Sequence, residues 1–141
     1  MADVSAGRFL AVRLRPGQEL KASLLELSAA FSACAVVTCV GSLRQASLRL
    51  ANADRHRPDE VRHFDELLEI TSLVGTLGQG KGHLHVSLAD KDGNCFGGHL
   101  LSGQIFTTAE IVLLELPDLN FRRDYDEATG FAELQVSRSK L

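Results

Sequence analysis

The stretch His83-Leu84-His85-Val86-Ser87-Leu88-Ala89-Asp90-Lys91-Asp92-Gly93-Asn94-Cys95-Phe96-Gly97-Gly98-His99-Leu100 reads as two strands around a turn. Asp90-Lys91-Asp92-Gly93 has the chemistry of a type I turn followed by a left-handed glycine, a common three-residue hairpin loop. Facing residues in that loop have numbers summing to 184, so Leu84 meets Leu100, Val86 meets Gly98 and Leu88 meets Phe96. One face is then apolar throughout. On the other face His85 lies across from His99, with His83 two residues along. A two-residue Asp92-Gly93 turn would set Val86 against His99 and mix the faces. Since a slip of one residue moves every side chain to the wrong side, the apolar pattern selects the first register.

Facing side chains on paired strands have Cβ atoms about 4.5–5.5 Å apart, close enough for two imidazoles to share an ion. Three neutral imidazoles with a fourth position open are a recognised zinc arrangement. His83, His85 and His99 are therefore the candidate metal ligands, for Zn²⁺ or another divalent transition metal, since nickel, copper or iron accepts the same donors. A polar strand face turned to solvent would carry the same pattern. Cys95 is left out of the set, and His56 and His63, near a charged loop, are expected at the solvated surface. Eight of the twelve glycines lie between Gly75 and Gly103. Gly97-Gly98 suits either the close approach of a ligand or a tight strand crossing. Glu110 shares a strand face with Phe106, Thr108, Val112 and Leu114, and Glu69 alternates with Leu68 and Ile70. Each is either paired with an arginine such as Arg44 or part of a site, as an acceptor for a ligating imidazole or as a general base.

Outward from the hairpin, Arg8 to Leu14 reads as a strand, with Leu10, Val12 and Leu14 on one face. Pro16-Gly17 breaks it. Gln18 to Phe31 then reads as a helix, because Leu20, Leu24, Leu27 and Phe31 form one apolar stripe. Cys34 to Val40 reads as a buried strand ending at Gly41-Ser42, and from Leu43 a second, half-buried strand begins. The polar segment Asn52 to Glu60, with Pro58 and five charged residues, reads as a loop. Strands are expected at Val61–Phe64 and Leu67–Leu77, the latter with Leu68, Ile70, Ser72 and Val74 on one face. Gly78 to Gly82 reads as a turn or flexible loop. Gln104 to Leu116 reads as a further strand stopped by Pro117-Asp118, and Phe121–Tyr125 and Phe131–Val136 as short strands around a turn. One helix with seven to nine strands on short turns makes a largely antiparallel α+β fold.

The 141 residues and 15.3 kDa suit one domain, 1–141, with its core over about 8–136. A net charge of −3 and a pI near 5.9 exclude a global basic field for nucleic acid. Arg44, Arg49, Arg55, Arg57 and Arg62 are the arginines that a local basic cluster would use. Three cysteines with no CxxC pair argue against a disulfide framework. The uncharged stretch Leu27–Leu43 is interrupted by polar residues and falls short of the ~20 apolar residues a membrane span needs. With Asp3 and Arg8 interrupting the N-terminal start, a cytoplasmic location is expected.

His83-Leu84-His85, Asp90 through Gly93 and Gly97-Gly98-His99-Leu100 resemble the signature of the plants-and-prokaryotes-conserved (PPC) domain family. So do Glu69 to Thr76, Thr107-Thr108-Ala109-Glu110 and Phe121-Arg122-Arg123. The resemblance spans about Arg8 to Val136. It implies an antiparallel α+β fold with one main helix, a homotrimer, and His83, His85 and His99 as a metal site. In plants the domain is joined to AT-hook segments in nuclear transcription regulators. This chain lacks the Arg-Gly-Arg-Pro core and basic arm that such minor-groove binding uses. Three functions follow as expectations: a non-enzymatic regulatory or interaction module that binds a metal ion or small ligand; a DNA-binding, transcription-associated protein; or a metal-dependent hydrolase assisted by Glu110 or Glu69.

Overall fold

The computed structural model describes residues 2–52, 54 and 56–140. Among them one helix and eight strands follow in the order β1 (Arg8–Leu14), α1 (Leu20–Ser28), β2 (Cys34–Arg49), β3 (Val61–Phe64), β4 (Leu68–Gly78), β5 (Lys81–Ala89), β6 (Cys95–Glu115), β7 (Leu119–Asp126) and β8 (Phe131–Arg138). Every pairing is antiparallel. Six strands run β1-β6-β5-β4-β2-β3, and β6 also pairs with β2. The ring β6-β5-β4-β2 is therefore closed, and closure removes its free edges. The fully buried side chains of Leu43, Leu48, Leu84, Leu88, Leu100 and Ile105 belong to the core inside it. The arrangement is the largely antiparallel α+β fold expected, with one short helix. No helix among the described residues is long and apolar enough to cross a membrane.

Two long strands replace four expected ones. β2 runs through Gly41-Ser42, where a strand end was expected, and β6 joins the second strand of the His83–Leu100 hairpin to the expected strand Gln104–Leu116 across Gly103. Gly41 is a crossing point rather than a turn: a Cβ there would collide with the Thr108 carbonyl oxygen of β6. Register shifts between Gly41 and Leu43 and between Leu43 and Gln45 mark bulges that bend β2 around the ring. They also put Arg44 in solvent, out of phase with buried Ala46 and Leu48. A shift between Ile70 and Ser72 likewise changes faces in β4, so Leu73 is buried and Val74 is 55% exposed, the reverse of the simple alternation.

The helix is shorter than its apolar stripe. Glu19 caps it, its carboxylate accepting from the Ala22 amide and, at 2.8 Å, from the Gly103 amide of β6. Leu20 and Leu24 are fully buried, while Leu27 and Phe31 pack partly buried against the core. At the far end the Ala29 amide donates to the Glu26 carbonyl, a tightened last turn that stops the helix. The expected Gly78–Gly82 loop reduces to two residues, Gln79 (φ 54°) and Gly80 (φ 75°), with Gly78 paired to Lys81. Two successive positive φ values are those of a type I′ hairpin turn.

Candidate metal centre

β5 and β6 pair in the register that the apolar alternation selects, from Ala89↔Cys95 through Val86↔Gly98 to His85↔His99. The turn holds that register: the Gly93 amide donates to the Asp90 carbonyl, Gly93 has φ 80°, and Asp90 Oδ1 accepts from the Asp92 and Asn94 amides. Leu84, Val86 and Leu88 point into the core. The histidines therefore stand on the outer face, His85 exposed and His83 and His99 half-buried.

The three rings converge, with centroids 4.8 Å (His83–His85), 5.1 Å (His83–His99) and 5.6 Å (His85–His99) apart. One nitrogen from each lies within 4.8 Å of the others, and His83 Nε2 is 3.0 Å from His85 Nε2. Tetrahedral zinc, at Zn–N distances of about 2.0–2.1 Å, separates its ligand nitrogens by about 3.3–3.4 Å. The His83–His85 nitrogens, at 3.0 Å, already stand near that spacing. His99 Nδ1 is buried with no hydrogen-bond partner among the described residues, and an ion bound at that nitrogen would satisfy it. Burial, then Arg49 and the other nearby cations, push the His99 imidazole down to about 4. His83 is lowered too, by burial, His85, Arg123 and Arg49, with Glu133 opposing. Neutral imidazole is the form a metal ion binds. The donor set fits a divalent transition metal.

The surrounding backbone determines what stands beside the rings. Arg49 of β2 pairs with His99, and His85 faces His99 from the other side, so Arg49, His99 and His85 form a row across three strands. Gly98 permits the row, since a Cβ there would come 2.7 Å from the Arg49 carbonyl oxygen. At Gly97 a Cβ would collide with the Val86 carbonyl oxygen. Of the two readings of Gly97-Gly98, tight strand crossing is the one the backbone contacts support. Thr76 of β4 pairs with His83, and its hydroxyl accepts a 2.8 Å hydrogen bond from Arg123 of β7.

The sequence profile of the Plants and Prokaryotes Conserved (PCC) domain matches residues 1–117. The chain belongs to this family. A bifunctional protein GlmU from Synechococcus is 44% identical over 128 residues, covering 89% of the chain, but the chain spans only 20% of that relative. Among solved structures, a Salmonella cholerae-suis protein is 34% identical with a TM-score of 0.89, covering 96% of this chain and 97% of its own. A metal-containing protein from Archaeoglobus fulgidus is 27% identical with a TM-score of 0.81, covering 95% and 99%.

In this PCC domain the other expected site residues lie elsewhere. Glu110 is not buried. It is exposed in a groove with Val12, Arg13, Thr38 and Val40, on the β6 face opposite buried Ala109 and Ile111. Glu69 is exposed opposite Ala89. Among the described residues neither carboxylate forms the ion pair with Arg44 that was the alternative. His56 is exposed, and exposed His63 shares a 2.6 Å hydrogen bond with Ser47 across β2 and β3. Cys34 and Cys39 are buried thiols raised by burial to about 11. Of the arginines considered for a basic cluster, Arg49 is at the histidines and Arg55 lies outside the described residues. The residues that sequence reasoning missed are Lys81, Arg123, Phe131 and Glu133, which line a cavity of about 420 Å³ with Arg49, His83 and His99. Arg49 offered the one signal, a cation on the strand face opposite buried Leu48.

Proposed function

We propose that this PCC domain works in the cytoplasm as a homotrimeric, non-enzymatic binding module whose ligand site is built on a divalent metal ion, zinc first, held by His83, His85 and His99. The convergence of three imidazoles, with ligand nitrogens within 4.8 Å, carries the reading. The metal-containing relative from Archaeoglobus supports it, and an ion with three protein ligands keeps a position open for a ligand. For the trimer, the support is the family resemblance together with apolar side chains on the outer face of the ring, Val37 and Val40 of β2 and Phe106 of β6, all exposed.

Elemental analysis of tag-free protein, run on a column that reports native mass, tests both parts. The expected result is about one metal per chain at trimer mass, and none in His85→Ala/His99→Ala. Metal-free wild type after incubation with zinc sinks the metal reading, and a monomer mass sinks the assembly. A second reading, a metal-dependent hydrolase, is favoured by Glu133, whose carboxylate shares the cavity with His83 and His99 and can take a proton there. Hydrolytic activity that disappears on chelation and in Glu133→Gln would move the protein to that class.

A further inference from the structure

The cavity beside the histidines has a charge that the whole chain does not. The chain carries −3, yet the cavity is lined by Arg49, Lys81 and Arg123 against one carboxylate, Glu133. A concave wall of one sign concentrates ions of the other. Arg49 is only 22% exposed, stacks its guanidinium 5.5 Å from the centre of the Phe131 ring, and reaches Asp59 only at 3.9 Å. Arg123 donates to Thr76, one of the five N–H groups a guanidinium has to give. Two forked donors thus stand over the same space from opposite elements, β2 of the ring and β7 of the hairpin.

We propose that this cavity binds a small organic anion, gripped through a carboxylate or phosphate group by Arg49 and Arg123, with one anion oxygen completing the coordination of the ion on the histidines. The inference rests on the metal reading above and names the ligand class for that site. Planar guanidinium forks match carboxylate and phosphate oxygens two at a time, which a lysine does not. Phe131 and Ala132 give the rest of the ligand an apolar wall. A volume of about 420 Å³ limits it to a small molecule, near the lower end of the ~300–1,000 Å³ of such sites. Lys81, exposed at the start of β5, adds attraction at the rim.

The test uses the full chain loaded with Co²⁺, whose visible bands respond to a new ligand. It is titrated with inorganic phosphate and, separately, with malonate, followed by absorbance and by calorimetry at about 0.15 M salt, where the Debye length is ~8 Å. Saturable binding of at least one anion with a band shift is expected, and the preferred anion tells phosphate from carboxylate. Arg49→Gln and Arg123→Gln should each weaken it about tenfold or more, the loss of a charge-assisted hydrogen bond. Lys81→Glu, at an exposed position that leaves the fold alone, should weaken it a few-fold. Lys91→Glu, the same charge change at the β5–β6 turn, should do nothing. Cobalt at one per chain with both anions silent overturns the anion site and leaves the metal centre standing. Equal affinity in the Arg49, Arg123, Lys81 and Lys91 variants overturns the grip. Failure to take up cobalt overturns the metal reading, and this inference with it.

Discussion

The two walls of the candidate site are built differently. The histidines stand on β5 and β6, strands of a closed ring whose inner face carries fully buried leucines. Arg123, Phe131 and Glu133 stand on β7 and β8, a two-stranded sheet paired only with itself. In that hairpin Leu119 is the buried apolar residue, while Tyr125 is 69% and Val136 42% exposed. It is tied to the rest by hydrogen bonds, such as the Phe121 amide to the Ser32 carbonyl and Arg123 to Thr76, and by the stacking of Arg49 on Phe131. The contrast suits a division of labour. An ion needs donors fixed to a fraction of an ångström, whereas a ligand of variable shape is better served by a wall that can adjust.

The contrast breaks first if stability is spread evenly. Leu48→Ala, which empties a fully buried site in the ring, should cost about 2–5 kcal/mol in urea unfolding. Val136→Ala on the hairpin should stay within about 0.5 kcal/mol. A comparable loss at Val136 would make the hairpin part of the same core.

A second difference appears with pH. Folding lowers the His99 imidazole from 6.5 to about 4, chiefly by burial and then by Arg49, His83, Lys21 and His85. Between those values the unfolded chain binds the proton and the folded chain does not, so this contribution is complete above pH 6.5 and is lost as pH falls towards 4. The melting temperature of metal-free protein should fall through that window, and His99→Gln should flatten the fall. Parallel profiles for the two proteins would show that His99 is not held neutral.

A smaller effect is expected where the two regions meet. Arg123→Gln removes the side-chain bond to Thr76, worth about 0.5–1.5 kcal/mol. Amide exchange should quicken in β7 and β8 and stay slow in β5 and β6. Equal acceleration in both would mean that hairpin and ring open as one unit. The slightest perturbation is chemical: at pH 8 a thiol reagent should label exposed Cys95 alone, because Cys34 and Cys39 are buried and held near 11. Labelling of all three in native protein would show the ring to be more open than its burial implies.

What was legible in the chain follows the same division. The His85–His99 pairing is local and its alternation admits one register, so the histidine face could be read from residues 83 to 100 alone. Gly41 was misleading, because glycine marks both turns and close crossings, and only the partner strand tells which. The bulge after Ile70 left no mark in the alternation that would have moved Val74 outward. Arg123, Phe131 and Glu133 were illegible for a different reason. Their place beside His83 depends on how a distant hairpin lies against β4, a tertiary contact with no local pattern.

The spacing of these residues along the chain also bears on the order of assembly. His83 and His99 are sixteen residues apart in a tight hairpin, an element that forms in microseconds, whereas the ring closes only when β2 meets β6, pairing Cys34 with Glu115. Contacts that distant form slowly, because a long loop must be ordered first. The proposed ligands for an ion thus lie within one local hairpin, whereas Arg49 and Arg123 reach them only through long-range contacts. Long-range pairing, and not the histidine hairpin, therefore carries most of the entropic cost of completing the proposed site.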